Sequence, residues 1–329
     1  MRKHLLAITV ILTVATGCDN VAWGGIDVEV RPPPAAPEGV NEGDDEASTD
    51  DGPVNVDGPI LLAGTRDGAR ASLVVVGELL PEGLSAFPDP RFPEDIERLA
   101  GLTATGSTWI LFSEGVRVGR LVADGSATAD VFCGDRTEIS GVVELVPDAA
   151  PAQRFLALPA PDAEDRPYEE FRTIQHVYDQ RVATIAIAGE AIPRAGAPWP
   201  EGGVLDARDH IHAFQLRNIL GQTVAATFVA QDELAVSPPR QGAYALFMLG
   251  HQAGAEYREA FTWYRAVDTE GKGAPRYFDH LDWDGDGSDE ILLDVFGSNR
   301  RWFAVLSQRG GSWVRTFQDA CGSGSAGQG

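Results

Sequence analysis

Short runs of apolar residues, separated by glycine, proline and aspartate, constrain the fold of this chain more than any other feature. They are rich in β-branched and aromatic side chains, and such runs between turn-forming residues indicate strands. In the first part of the chain they occupy residues 73–76, 108–112, 116–122, 141–146 and 154–158. The sequence therefore predicts a mainly β fold.

Two similar units follow nearer the C-terminus. In each, a strand leads to an aromatic-led strand, a glycine-containing turn and a third strand that starts with an aromatic residue. The runs are residues 224–229, 244–249 and 257–261, then 291–296, 302–306 and 313–317. Such units resemble the blades of a propeller, whose closed form usually needs at least four. We expect antiparallel blade-like repeats in an open or degenerate propeller, with an α+β sandwich as the alternative.

One or two helices are expected among these strands. Residues 93–100 are one candidate. Residues 165–188 are the stronger one, because Phe171, Ile174, Val177, Tyr178 and Ile185 recur at helical spacing. Asp165 would cap this helix and Pro167 would lie in its first turn. A stripe of this kind indicates packing against a core and carries no functional information.

An acidic loop at residues 282–290 is the one motif whose spacing implies chemistry. Calcium takes six to eight oxygen ligands from carboxylates, carbonyls and water. The carboxylates that would bind it are those of Asp282, Asp284, Asp286 and Glu290, with the backbone carbonyl of Ser288. Gly287 permits the sharp turn between them. The alternative is a polar Asp-Gly turn that binds no metal.

The loop differs from an EF-hand, which needs an acid where this chain has Leu293. It resembles the calcium loop of FG-GAP and VCBS-type repeats, as in integrin-like propellers, over residues 278–317. This resemblance implies a structural calcium site in a β-rich extracellular module. Those families usually repeat the loop several times, whereas it occurs here once.

The N-terminus has the order of an export signal. A basic start with Arg2 and Lys3 precedes a short apolar run and then small residues. The ending Ala15-Thr16-Gly17-Cys18 resembles the lipobox of bacterial lipoproteins. That resemblance implies a signal peptide at residues 1–17 and lipidation of Cys18, with the protein on the extracytoplasmic side of the cell envelope, in the periplasm or at the cell surface. An ordinary signal peptide is the alternative.

The composition of residues 18–58 predicts an acidic, disordered linker, because this segment has prolines and a run of acids but few large apolar residues. The globular body follows in two β-rich parts. Residues 59–200 would contain the helix near 165–188, and residues 201–329 would contain the acidic loop.

The chain has three cysteines. If Cys18 carries lipid, Cys133 and Cys321 remain, and an even number in an oxidising compartment suggests a disulfide between them. The alternative is two free buried thiols.

The formal net charge is −23. A chain this acidic is repelled by the phosphate backbone of nucleic acids, so nucleic acid is not expected as a partner. The expected contacts are the membrane, through the lipid anchor, and an unidentified protein or glycan.

A second cluster offers a different function. Asp209, His210 and His212 lie within a few residues, and a His-x-His pair on a strand places both imidazoles on one face, which suits zinc. The competing hypothesis is therefore a metal-dependent hydrolase. The favoured interpretation is that these residues form a polar strand edge without a metal. Motifs for a serine nucleophile or a phosphate loop are missing from the sequence, so the favoured expectation is a non-enzymatic binding or structural module.

Overall fold

The short runs of the first part pair into a closed six-stranded antiparallel barrel in the computed structural model, which describes residues 57–89 and 91–323. The strands are β1 Ile60–Asp67, β2 Arg70–Leu80, β3 Gly83–Ser85, β4 Thr108–Ser113, β5 Val116–Ala129, β6 Arg136–Leu145 and β7 Arg154–Pro159. Their order is β1-β7-β4-β5-β6-β2, and pairing of β1 with β2 closes the ring. The short β3 extends the sheet along β2.

Two four-stranded antiparallel meanders follow the barrel. The first sheet holds β8 Arg208–Phe214, β9 Thr223–Ala230, β10 Tyr244–Ala253 and β11 Glu256–Ala266. The second sheet holds β12 Gly273–Leu281, β13 Glu290–Gly297, β14 Arg301–Arg309 and β15 Ser312–Gln318. In both sheets the spatial order follows the chain. The six predicted strands of the repeat are present, and each unit has one additional strand at its start, β8 or β12.

Apolar side chains join these parts in layers. One face of the first sheet packs against the second sheet, with Phe247 and Trp263 meeting Ile291 and Trp302 in one cluster. The opposite face of the second sheet packs against the outside of the barrel, where Leu292 and Phe303 join the cluster of Phe112 and Leu158. A separate cluster fills the barrel interior. The second sheet is therefore covered on both faces, and every residue of β13 is buried.

Helices are few. The structure forms α1 Pro93–Leu102, α2 Ala160–Ala163, α3 Tyr178–Arg194 and α4 Val267–Glu270, of which α2 and α4 are single turns. The mainly β class is confirmed, and so is the short helix predicted from Pro93. Within the residues that the structure describes, the barrel, four helices where one or two were expected, and the strands β1, β3, β8 and β12 are additions to the prediction.

The prediction of a helix over residues 165–188 is wrong about where the helix begins. Helix α3 begins only at Tyr178, because Val177 has an extended backbone and the Gln180 side chain accepts a hydrogen bond from the Val177 amide. Neither Asp165 nor Pro167 belongs to a helix. Phe171 instead packs into the barrel cluster, and Ile174 pairs with Ala213 of β8. Contacts with distant strands thus override the helical spacing.

The disulfide between Cys133 and Cys321 is present, with the two Cα atoms 6.0 Å apart and a sequence separation of 188 positions. The disulfide ties the loop between β5 and β6 to the segment after β15. A buried ion pair between Arg136 and Asp319 lies in the same region, and the Cys133 amide donates to the Arg301 carbonyl at 2.8 Å.

Replacing both cysteines by alanine should lower the free energy of unfolding by about 2–5 kcal/mol, because the disulfide closes a long loop in the unfolded chain. Urea denaturation of the double variant and of the wild type measures the loss. A reducing agent should reproduce the loss in the wild type and leave the variant unchanged. Equal stability of variant and wild type would contradict the expectation.

Candidate functional site

The acidic loop connects β12 to β13 and folds around its own carboxylates. Asp282 accepts hydrogen bonds from the amides of Gly285 and Gly287, at 2.8 Å and 3.1 Å. Gly285 and Gly287 have φ angles of 78° and 88°, in the region that favours glycine. The sequence places the two glycines where the chain must turn back towards the first aspartate.

Three of the predicted metal ligands converge. Asp282, Asp284 and Glu290 each offer a carboxylate oxygen, and these oxygens lie within 4.8 Å of one another. Asp286 is not in this group, and its Oδ1 accepts a hydrogen bond from the Ser288 amide at 2.7 Å. The Ser288 hydroxyl accepts from Asn218 Nδ2 at 3.2 Å. Within the described part of the chain, no other group of three metal-ligating side chains is this close.

Glu290 is the buried member of the group. Its exposed fraction is 6 %, and its Oε2 has no hydrogen-bond partner within residues 57–89 and 91–323. Burial raises the pKa of this carboxyl to about 9, and the negative charges of Asp284, Asp286 and Asp282 add to the effect. A cation among these carboxylates would offset both costs.

Arg166 holds the loop from the segment that follows the barrel. Its Nη1 donates to the Asp282 carbonyl at 2.5 Å and its Nη2 donates to the Trp283 carbonyl at 2.8 Å. The Trp283 side chain is buried against the outside of the barrel. Sequence reasoning missed Arg166, because the contact joins residues more than a hundred positions apart.

A cleft of about 590 Å³ lies beside the loop, and Glu114 stands in its wall. Glu114 and Gly115 form the turn between β4 and β5, with φ angles of 51° and 75°. The Glu114 amide donates to Asp279 Oδ1 at 2.9 Å, and Glu114 Oε1 lies 2.9 Å from His212 Nε2. Burial raises the pKa of Glu114, but the hydrogen bond and charge of His212 outweigh burial, so the pKa lies below its usual value.

Behind this wall is a buried polar group on β12. The Tyr277 hydroxyl lies 2.7 Å from His280 Nδ1, and the His280 amide donates to Asp279 Oδ1 at 2.8 Å. Burial and the charge of Glu114 raise the pKa of Asp279 well above its usual value, and burial lowers that of His280. A Cβ atom at Gly115 would lie 2.8 Å from His280 Nε2, so only glycine fits there.

Asp289 lines the same cleft from the start of β13. Its Oδ2 accepts a hydrogen bond from the Arg217 amide at 2.6 Å. Its Oδ1 is buried without a hydrogen-bond partner among the described residues, and the nearest cation, Arg217 Nε, lies 3.5 Å away. Sequence reasoning noted Asp289 only as part of the loop. Its position directly before Glu290 was the available signal, since neighbours on a strand face opposite sides.

The Asp209, His210 and His212 cluster is divided between the two faces of β8. Asp209 is exposed, whereas the rings of His210 and His212 stack with centroids 6.4 Å apart. His212 is paired with Glu114, and His210 Nδ1 is buried without a partner within the described ranges. None of these three residues belongs to the group of close metal-ligating side chains.

The predicted signal peptide, Cys18 and nearly all of the predicted linker lie outside the described residues, which begin at Asp57. Among the helices that are described, none is long and apolar enough to cross a membrane.

Comparison with protein-family models, curated proteins and solved structures found no match to this chain. The resemblance to FG-GAP and VCBS-type repeats therefore rests on the loop residues alone.

Acidification should destabilise the protein through His210. Burial, followed by the charge of Arg154, lowers its pKa from 6.5 to about 3 in the folded state. Between these values the unfolded chain binds a proton that the folded chain excludes, so stability rises with pH, by at most about 1.4 kcal/mol per pH unit for this group. Urea unfolding of the wild type and His210→Gln across this range should show a shallower slope for the variant.

His176→Gln is the matched control for His210→Gln, because the His176 ring is much less buried. Its pH slope should stay closer to that of the wild type. Equal slopes for His210→Gln and the wild type would show that His210 titrates normally in the folded protein.

Proposed function

We propose that this protein is a calcium-stabilised, β-rich binding module of the bacterial cell envelope. The observation that carries the proposal is the carboxylate of Glu290, which is buried with one oxygen unpartnered beside Asp282 and Asp284. A buried charge without a partner is costly, and it is retained where a metal or another charge compensates it.

The donor set suits calcium. All candidate ligands are oxygens, and calcium accepts six to eight oxygens in flexible geometry, whereas zinc prefers nitrogen and sulfur. Asp282, Asp284 and Glu290 would supply carboxylates. Asp286 and the Ser288 carbonyl would complete the protein ligands after a local adjustment of the loop, and water would fill the remaining positions.

The expected consequence of calcium is a fixed loop. Arg166 already holds the Asp282 and Trp283 carbonyls from one side. A cation would neutralise the repulsion among the carboxylates on the other side. Since the loop joins β12 to β13, and β13 is buried throughout, the metal would stabilise the strands that lie between the barrel and the first sheet.

The location in the envelope is supported by the sequence of the first residues. A lipidated Cys18 would anchor the module at the membrane, and residues 18–58 would hold it away from the surface. Calcium is plentiful outside the cytoplasm, which fits a site of moderate affinity. The disulfide between Cys133 and Cys321 agrees with an oxidising compartment. A protein or glycan partner remains part of the proposal.

Calcium should raise the unfolding temperature of the wild type, with a dissociation constant of about 10⁻⁴–10⁻³ M, the range of extracellular calcium modules. Glu290→Gln should weaken calcium binding at least about tenfold, because a charged ligand is lost. The same variant should stabilise the calcium-free protein near pH 8, because folding forces Glu290 to take up a proton at that pH, whereas glutamine needs none. Calorimetry and thermal unfolding measure both effects.

Two further variants make this test specific. Asp284→Ala removes a second member of the converging group and should also weaken binding. Asp148→Ala removes an exposed acid outside the loop and should leave calcium affinity unchanged. If the wild type shows neither binding heat nor a thermal shift at millimolar calcium, the calcium site is refuted.

A further inference from the structure

The cleft beside Glu114 has the size and form of a small-molecule site. Its volume of about 590 Å³ lies within the range of about 300–1,000 Å³ typical of ligand pockets. Val116, Ile174 and Leu216 provide apolar wall, and carboxylates are the commonest of the polar side chains that line it. The segment that contains Ile174 crosses from the barrel to the first sheet, so the barrel and this sheet both contribute to the cleft.

The charges in the wall do not balance. Four carboxylates line the cleft, those of Glu114, Glu169, Glu170 and Asp289, against the two guanidinium groups of Arg172 and Arg217. Arg172 is paired with Glu170 at 2.5 Å, and Arg217 is paired with Glu169 at 2.7 Å. Each arginine is thus bound to a glutamate. Glu114 and Asp289 are the carboxylates that no arginine hydrogen-bonds through its side chain, and the guanidinium of Arg217 reaches Asp289 Oδ1 only at 3.5 Å.

Glu114 and Asp289 are also the buried carboxylates of the wall. The Asp289 residue is 4 % exposed, and its Oδ1 lacks a hydrogen-bond partner among the described residues. The Glu114 side chain is 12 % exposed, with His212 at one oxygen. A Cβ atom placed on Gly115 would lie 3.8 Å from Asp289 Oδ1, so the Glu114 turn and Asp289 meet at one place.

The Asp289 side chain faces away from the carboxylates of the acidic loop. Asp289 directly precedes Glu290, and consecutive side chains at the start of a strand face opposite sides. Glu290 converges with Asp282 and Asp284, whereas Asp289 lines the cleft. A metal at the acidic loop therefore leaves Asp289 Oδ1 without a hydrogen-bond partner among the described residues, with Arg217 Nε 3.5 Å away.

We propose that this cleft binds an organic cation, a primary ammonium group on an aliphatic stem, with the ammonium between Glu114 and Asp289. Three N–H donors suit two carboxylates in one wall, and the methylene stem suits the wall of Val116, Ile174 and Leu216. The source is either a lysine side chain of a partner protein or a free diamine. This inference rests on the proposed binding role and names the chemistry of the partner, but it does not depend on calcium.

Three probes separate the sources by calorimetry with the full mature chain. They are the peptide acetyl-Gly-Lys-Gly-amide, its analogue with norleucine in place of lysine, and the diamine cadaverine. The lysine peptide should bind at least about tenfold more tightly than the norleucine peptide, which lacks only the ammonium group. Tighter binding of the peptide than of cadaverine indicates a protein partner, and the reverse indicates a free amine. If neither cation binds saturably, or norleucine binds equally well, the proposal is overturned.

Glu114→Gln tests the site itself, because glutamine keeps the shape of the side chain and loses the charge. It should weaken binding of the preferred cation about tenfold. Glu170→Gln is the matched control, since Glu170 lines the same cleft but is exposed and paired with Arg172. It should change the affinity less than about twofold. Equal effects of the two variants would mean that the cation responds only to overall charge, and would overturn the assignment to Glu114.

The titrations are repeated with calcium and with a chelator. If the ammonium probe binds but calcium does not, the proposed metal site alone is refuted. Retained calcium binding without cation binding would refute the cleft alone. Circular dichroism of Glu114→Gln checks that the variant is folded, and its calcium affinity should equal that of the wild type because Glu114 is outside the acidic loop.

Discussion

The turn at Glu114 and Gly115 connects all three sheets of the described structure. Its backbone amide donates to Asp279 of the second sheet, and its carboxylate bonds to His212 of the first sheet, while the turn itself belongs to the barrel. Burying charged groups is unfavourable unless each finds a partner. These contacts therefore tie the barrel to both sheets at the wall of the neighbouring cleft. Glycine at position 115 is part of this constraint, because His280 leaves no space for a side chain.

The acidic loop and the cleft share one structural wall. Glu290 faces the loop, Asp289 faces the cleft, and both stand at the beginning of β13. The Arg166 side chain donates to the Asp282 carbonyl at the start of the loop. The Arg217 backbone amide donates to the Asp289 carboxylate at its end. Each site contains a buried carboxylate oxygen without a hydrogen-bond partner in the described residues. Two such atoms in adjacent residues are costly to maintain, which is why both are interpreted as ligand-binding groups.

Local patterns predicted much of the fold. Six of the eight strands of the two meanders were evident from aromatic and β-branched runs, and the helix from Pro93 was evident from local composition. Strand β12 was missed because it carries Asp279 and His280 at buried positions, so its sequence lacks the usual alternation. The helix at 165–188 was placed too early because Phe171 and Ile174, which have helical spacing, pack instead on the barrel and pair with β8. The spacing of apolar residues indicates that they are buried. It does not indicate which element they pack against.

By itself, the sequence determined the mainly β class, the pairing of the two cysteines and the acidic loop, because each depends on residues close in the chain or on a small count. Only the tertiary structure decided that three of the five proposed ligands converge and that Glu290 is the buried one. It also decided that Asp209 is separated from the histidines, and that Glu114, Asp289 and His280 meet at a cleft. The cleft depends on residues far apart in the chain, whose distances are set by the packing of the barrel against the sheets. The burial of Glu290 and the separation of Asp209 depend on how β13 and β8 pack, which no local pattern records.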